Sequence, residues 1–270
     1  TATLTATPST PGTYSYAWTV PTGATNPGNS NSITSGIAGT YSVIITNSTT
    51  NCSSVSTSGT ITVNPLPVAF VNNPSVCIGS NATVTATPTI AGTYSYAWTV
   101  PVGATNPGSV PSFSTSVAGS YDVIVTNTTT SCSSATSSGV VTVNPLPVVT
   151  VNSASVCFGS SAVITATPST PGTYSYAWTG PVGFTNPGSV PSFNASIAGT
   201  YSVVITNTLT NCVSLSASGT LTVNSIPTVS INNATICQGN TATLTATPGA
   251  PGTYSYAWTV PTGATNPGNS

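Results

Sequence analysis

The side chains best suited to chemistry in this chain are six cysteines and one carboxylate, Asp122. The cysteines form two sets, each with one constant spacing along the chain: Cys52, Cys132 and Cys212 in one set, and Cys77, Cys157 and Cys237 in the other. Cysteines at a fixed phase predict a disulfide framework, and therefore an oxidising, extracellular location at the cell surface. No C-x-x-C pair and no histidine accompanies them, so zinc binding is not predicted.

Proton-transfer groups are almost absent, since the 270 residues include no lysine, arginine, histidine or glutamate. General acid-base catalysis needs a group that exchanges a proton near neutral pH, and an activated nucleophile needs such a base beside it. Asp122 occurs in one repeat only, where the others carry Ser42 and Ser202, and we interpret it as a solvated surface residue. We therefore predict that the chain is not an enzyme and takes no cofactor and no metal.

The lack of cationic side chains also limits the partners. Nucleic acids and anionic lipid surfaces are bound by clusters of lysine and arginine, which this chain does not have. No apolar run approaches the roughly 20 residues that cross a bilayer. We predict no nucleic-acid partner and no membrane insertion of this segment.

The elements that position the cysteines belong to an internal repeat, whose length equals the spacing from Cys52 to Cys132. The string G-T-Y-S-Y-A-W-T recurs in the same phase, and proline-containing linkers at 64–67, 144–147 and 224–227 separate the copies. Complete domains are predicted at 67–146 and 147–226. A partial domain at 1–66 should lack its first strand, and one at 227–270 should hold only the first strands.

A longer period of three repeats is superimposed on the short one. Residues 1–30 differ from 241–270 at two positions, but from 81–110 at eight. We expect the chain to be a window within a longer array. The alternative is a subunit whose ends complete each other at a polymer joint, although both end pieces contain the T-A-T-L-T-A-T-P and Y-S-Y-A-W strands and so duplicate each other.

Residues 67–146 show strand patterns throughout, with short runs of valine, isoleucine, threonine and tyrosine bounded by glycine, proline and asparagine. We predict strands at 68–72, 82–87, 93–100, 112–116, 120–127 and 139–144, and a weaker one within 102–111. About seven strands in such a repeat predict an all-β fold of tandem immunoglobulin-like Greek-key sandwiches. Alternation within the strands assigns these aromatic residues to the core: Trp18, Trp98, Trp178, Trp258, Tyr41, Tyr121 and Tyr201.

A family resemblance follows from the order of the motifs. C-x-G-x-N-A-T-V-T-A-T-P from Cys77, Y-x-W ending at Trp98 and A-G-S-Y-D-V-I-V-T-N from Ala118 resemble the PKD-like and bacterial immunoglobulin-like repeats of giant adhesins of gliding Bacteroidota. The resemblance implies a β-sandwich stalk exported to the cell surface. The W-x-F-G-D-G turn of PKD domains is replaced here by W-T-V-P-V-G-A, and Val123 takes the place of the strand-F cysteine of immunoglobulins.

The A-G-x-Y string that ends at Tyr121 is similar to the tyrosine corner of immunoglobulin-type sandwiches. The same string ends at Tyr41 and at Tyr201.

Two disulfide pairings are compatible with the repeat. Bonds within domains would join Cys77 to Cys132 and Cys157 to Cys212. We place Cys77 and Cys132 at opposite poles of one sandwich, about 25 Å apart, whereas a disulfide needs Cα atoms within about 7 Å. In a head-to-tail rod, an interdomain bond between Cys77 and Cys212 is therefore favoured, and free or intermolecular thiols are a further alternative.

These features predict a structural stalk or filament segment of a giant extracellular adhesin. Such a segment acts as a spacer and associates laterally with its neighbours. Expected partners are copies of the chain and other cell-surface or matrix components, because no charge protects the edge strands from pairing. A lectin-like ligand-binding array is the alternative, and it would need exposed aromatic clusters. Ice binding by the T-x-T-x-T runs is less favoured, because threonine is a strong strand former and one such strand per domain makes no broad array.

Overall fold

Alternating runs of β-branched and aromatic residues form 21 strands in the computed structural model, which describes residues 1–269. By its internal contacts the chain divides into two units, Thr1–Val143 and the part from Asn144 onward. Within the described residues, no helix is long and apolar enough to cross a membrane.

The first unit holds the strands of residues 1–66 and of the repeat at 67–146. Its strands are β1 (Ala2–Thr5), β2 (Tyr14–Thr19), β3 (Ser32–Ser35), β4 (Gly39–Asn47), β5 (Thr57–Ile61), β6 (Ala69–Val71), β7 (Ser75–Cys77), β8 (Ala82–Pro88), β9 (Tyr94–Thr99), β10 (Ser112–Thr115), β11 (Gly119–Asn127) and β12 (Ser137–Asn144), the last of which ends at the unit boundary.

The second unit holds the repeat at 147–226 and the residues that follow it. Its strands are β13 (Val149–Val151), β14 (Ala154–Cys157), β15 (Ala162–Pro168), β16 (Tyr174–Thr179), β17 (Ser192–Ala195), β18 (Gly199–Asn207), β19 (Ala217–Asn224), β20 (Val229–Ile231) and β21 (Ala246–Pro248).

Each complete repeat is a sandwich of a three-stranded and a four-stranded sheet. In residues 67–146 the sheet orders are β10-β8-β6 and β7-β12-β11-β9, and residues 147–226 repeat them as β13-β15-β17 and β14-β19-β18-β16. Strand β14 lies parallel to β19, whereas β16, β18 and β19 pair antiparallel. This topology is the immunoglobulin-like Greek-key sandwich, so the fold class predicted from the sequence is confirmed.

The core lies between the two sheets and is built from the side chains that alternate inward. In residues 67–146 it contains Val84, Trp98 and Tyr121, which are at most 5% exposed. The Trp98 ring meets the Phe113 ring edge-on, with centroids 5.0 Å apart. Aromatic contacts of this geometry add to the stabilisation from apolar burial, so these residues hold the two sheets together.

The two end segments contain fewer strands than the complete repeats. Residues 1–66 form a two-stranded sheet, β1-β3, and a three-stranded sheet, β2-β4-β5. In the described residues from 227 onward, β20 and β21 pair with each other, and the segment around Trp258 forms no regular strand. The domain boundaries proposed from the repeat stay predictions.

Two details differ from the expected strands. The weak strand within 102–111 is wrong, because this segment is a loop in which Pro107 and Pro111 donate no backbone hydrogen bond. The loop instead contains turns at Gly103 and Gly108, both with positive φ. Strand β7 was not predicted as an element, because it has three residues and follows Pro74 directly. Strand β6 belongs to the three-stranded sheet and β7 to the four-stranded sheet, so the chain passes from one sheet to the other between them.

The tyrosine corner predicted from the A-G-x-Y string is confirmed. The Tyr121 hydroxyl donates to the Val117 carbonyl oxygen at 2.9 Å, and the Tyr201 hydroxyl donates to the Ile197 carbonyl oxygen at 2.7 Å. Burial of the Tyr201 side chain raises the pKa of its phenol above the ordinary value of 10.0. The corner therefore favours the protonated phenol.

The free energy of unfolding should change little between about pH 5 and 8 and should fall as the pH rises above about 10. Below that pH the phenol of Tyr201 is protonated in both states. Because its pKa is higher in the folded state, ionisation then favours the unfolded chain. Denaturant unfolding followed by tryptophan fluorescence across this pH range checks the prediction, and Tyr201→Phe should reduce the alkaline loss. A steep change between pH 5 and 8 would contradict it.

Candidate functional site

The cysteines of the Cys77 set each lie at the start of a tight turn, and for Cys77 and Cys157 this turn follows a short strand. Cys157 is the last residue of β14, and the Ser160 amide donates to its carbonyl oxygen at 3.0 Å. Gly159, between them, has φ of 87°. Such a turn requires positive φ at this place, which explains the glycine two residues after the cysteine. Cys77 and Cys237 have the same turn, with Gly79 and Gly239 at φ of 87° and 86°.

The cysteines of the Cys212 set lie in the turn that joins the last two strands of a sandwich. The Cys212 carbonyl oxygen accepts from the Asn207 amide at 2.9 Å, and the Asn207 side chain accepts from the Leu209 and Thr210 amides. Asn211, just before the cysteine, has φ of 57°. Cys52 and Cys132 have the same hydrogen bonds to Asn47 and Asn127. These hydrogen bonds hold the backbone of the turn in one conformation at the cysteine.

The two sets lie at opposite ends of a sandwich. Cys157 pairs in register with Asn224, the last residue of β19, whereas Cys212 precedes the first residue of that strand, Ala217. A strand of this length spans about 25 Å. A disulfide between Cys157 and Cys212 is therefore not possible within the sandwich.

Two of the six cysteines are oxidised. Cys77 and Cys212 are disulfide-bonded, and Cys52, Cys132, Cys157 and Cys237 are free. The intradomain alternative, with bonds from Cys77 to Cys132 and from Cys157 to Cys212, is therefore wrong in this structure, for the reason of distance given above. Cys212 is completely buried, whereas Cys52, its equivalent in the first repeat, is exposed.

Asp122, the one acidic side chain, lies on β11 and is half-buried. Its carboxylate accepts a hydrogen bond from the Ser120 hydroxyl at 3.0 Å. Among residues 1–269, no three histidine, cysteine, aspartate or glutamate side chains lie close enough together to hold a metal ion.

The predicted core aromatic residues lie between the sheets in the complete repeats. Trp98 and Trp178 are 5% and 2% exposed, and Tyr121 and Tyr201 are 0% and 1% exposed. Trp18 and Tyr41 are buried in the first segment, and Trp258 is half-buried. A lectin-like groove would need such rings at the surface, and their burial does not favour one.

A loop contact that sequence reasoning missed fixes the tryptophan. The Trp98 indole Nε1 donates to the Val110 carbonyl oxygen at 2.8 Å, and Asn106 Nδ2 donates to the Trp98 carbonyl oxygen at 2.8 Å. The repeated string T-N-P-G was the signal that could have found it, because asparagine before proline and glycine often bonds nearby backbone. The loop at 101–111 therefore closes one side of the core.

An open groove lies beside Gly59, within residues 1–66. It has a volume of about 200 Å³ and is lined by residues that include Leu4, Trp18 and Tyr41. In the complete repeat at 67–146, the equivalent glycine, Gly139, lies against Val71 and the Asn72 carbonyl oxygen, where β6 ends. The groove therefore occupies the position that the first strand fills in a complete repeat.

Comparison with known proteins supports no family assignment. No protein-family model matches the chain, and no curated protein sequence matches it. Similar solved structures include extracellular domains 3–5 of Drosophila OTK (12% identity, TM-score 0.39, covering 69% of this chain and 71% of that one). An I-band fragment of titin has 13% identity and a TM-score of 0.39. The similarity covers 79% of this chain and 88% of the titin fragment. At such identities the likeness concerns the fold alone.

Proposed function

We propose that the chain is a non-catalytic structural segment of an extracellular stalk or filament, which spaces its ends and associates with copies of itself. The observation that carries the proposal is the repetition of one immunoglobulin-like sandwich with an almost uncharged surface, for a formal net charge of −1 over 270 residues. The core aromatic residues serve packing, and the surface consists mainly of serine, threonine and asparagine. Such a surface suits cohesion better than catalysis.

The location proposed for this segment is the cell surface. Disulfides persist in oxidising compartments, and Cys77 and Cys212 are in the disulfide form. The motif order from Cys77 to Asn127 supports a role like that of the PKD-like and bacterial immunoglobulin-like stalk repeats of Bacteroidota adhesins.

The disulfide proposed for this array joins Cys77 to Cys212, which belong to successive repeats. Support comes from the oxidised form of these two cysteines and from the free thiols at the other four. A bond that closes a loop of this length stabilises a fold by about 4 to 5 kcal/mol in the chain-entropy description. It would tie neighbouring domains together.

Lateral association is proposed to use the edge strands. Strand β10 is the edge of its sheet, and its exposed residue Ser114 lies opposite Thr83 of the central strand β8. Proteins usually protect such edges with lysine or another charge, and this edge has none. Without charge repulsion, neighbouring copies can approach closely and pair at these strands.

The test is light scattering and electron microscopy of the concentrated chain at low and high salt. Bundles or filaments that persist in high salt are expected, because the attraction is not ionic. Ser114→Lys with Asn194→Lys places charges on the edge strands β10 and β17 and should disperse the bundles. Thr83→Lys with Val163→Lys places the same charge on the central strands and is the control. A chain that stays monomeric, or equal behaviour of the two variants, would refute edge pairing.

A further inference from the structure

The four free thiols lie in the same two backbone settings as the bonded cysteines. Cys157 and Cys237 share the turn of Cys77, whose central glycine has positive φ in each copy. Cys52 and Cys132 share the turn of Cys212, each after a residue with φ between 52° and 57°. Each free cysteine therefore has the same local backbone conformation as Cys77 or Cys212. The free cysteines differ from these two in having no bonded cysteine in the single chain.

The sequence periods locate those partners. Cys212 lies in the repeat that directly follows the repeat of Cys77. Because residues 1–30 and 241–270 differ only at two positions, a second copy can follow the first with its Thr1 in the place of Thr241. In that phase, Cys52 of the second copy lies in the repeat that directly follows the repeat of Cys157. Cys132 of the second copy lies in the repeat that directly follows the repeat of Cys237.

We propose that each cysteine of the Cys77 set bonds the cysteine of the Cys212 set in the next repeat, so that Cys157 and Cys237 bond Cys52 and Cys132 of a second copy joined in this phase. The inference rests on the Cys77–Cys212 pairing proposed above. The result is an array in which every domain is stapled covalently to the next one.

The groove beside Gly59 supports the same phase independently. In the complete repeats, Asn72 and Asn152 carry the carbonyl oxygens that lie against Gly139 and Gly219. Asn232 is the next member of this series. Its side chain bonds the Thr243 carbonyl oxygen at 3.1 Å and accepts from the Thr245 amide.

Thr243 and Thr245 correspond to Thr3 and Thr5 of a copy joined in phase. Asn232 of the first copy would then bond these threonines of the second, and β20 would fill the groove beside the second copy's Gly59. The same join that completes the cysteine spacing therefore also completes the sandwich.

Each bond forms by exchange with a low-molecular-weight disulfide such as glutathione disulfide. One cysteine thiolate attacks it, releases one reduced thiol and forms a mixed disulfide, which the second cysteine thiolate attacks with release of the other. The two protons and two electrons that the cysteines lose leave with the two reduced thiols. The exposure of Cys52, Cys157 and Cys237 allows this reagent access.

The experiment uses a tandem in which residues 1–240 are followed by a complete second copy, with the single chain as reference. After oxidation by glutathione disulfide and alkylation, peptic digestion and mass spectrometry identify the bonded peptides, because the chain offers no trypsin site and acid stops exchange. The single chain should give only the Cys77–Cys212 peptide. The tandem should also give Cys157–Cys52 and Cys237–Cys132 peptides.

Matched variants establish the direction of the bond. Cys52→Ser in the second copy should reduce the Cys157–Cys52 peptide to less than about one tenth, whereas Cys52→Ser in the first copy should leave it unchanged. Loss with both variants, or a tandem that gives only the Cys77–Cys212 peptide, would overturn the inference and leave the proposed pairing intact. Absence of the Cys77–Cys212 peptide would overturn both.

Discussion

Replacing Trp98 with alanine should lower the free energy of unfolding of the sandwich at 67–146 by about 3 to 5 kcal/mol. The indole is 5% exposed, packs edge-on against Phe113 and donates to the Val110 carbonyl oxygen. The substitution removes the largest side chain of this core, leaves a cavity between the sheets and frees the loop at 101–111. Small domains have net stabilities of about 5 to 15 kcal/mol, so the substitution should remove a large part of the stability of this repeat.

Hydrogen exchange with mass spectrometry checks this prediction repeat by repeat, since a single melting temperature does not describe an array of domains. Amides of β9 and β11 should exchange rapidly in Trp98→Ala, while those of β16 and β18 stay protected. Trp258→Ala is the matched control. That residue is half-buried in a segment without regular strands, so its loss should change protection little. Equal effects of the two substitutions would contradict the assignment of Trp98 to a core.

Strand positions were predictable because burial on one side of a sheet leaves a period of two in the sequence. Tyr121, Val123 and Val125 alternate along β11 with residues that are more exposed, and all three are at most 1% exposed. The loop at 102–111 was wrongly predicted to contain a strand, because valine and threonine, which favour strands, lie among its prolines. What holds this loop is the side chain of Asn106, and a bond from one side chain to a distant carbonyl leaves no period in a sequence.

The cysteine sites were only partly predictable. The repeat placed them in two sets, and counting residues along the last strand placed those sets at opposite ends, as Cys157 beside Asn224 shows. The sequence did not predict which thiols are oxidised, because each set has three nearly equivalent members. The groove beside Gly59 was also not described, since its size depends on how far Leu4 covers the glycine.

Gly139→Ala should destabilise the repeat at 67–146 by about 3 kcal/mol through overpacking. A Cβ atom at this position would meet the Asn72 carbonyl oxygen at less than contact distance and Val71 Cγ1 at 2.5 Å. Backbone at the end of β6 cannot move away without breaking its pairing with β8, so the strain is not relieved by a side-chain rotation. Faster hydrogen exchange across β6 and β12 should report the damage.

Gly59→Ala is the matched control, because it makes the same substitution at the equivalent position of the first repeat. There the added methyl group would meet only the end of the Leu4 side chain, at 3.4 Å, which is ordinary contact. The substitution should therefore leave the stability of residues 1–66 nearly unchanged in the isolated chain. In the in-phase tandem, Gly59→Ala in the second copy should become as damaging as Gly139→Ala, because β20 of the first copy would then occupy the groove. A neutral effect in the tandem would contradict the insertion of that strand.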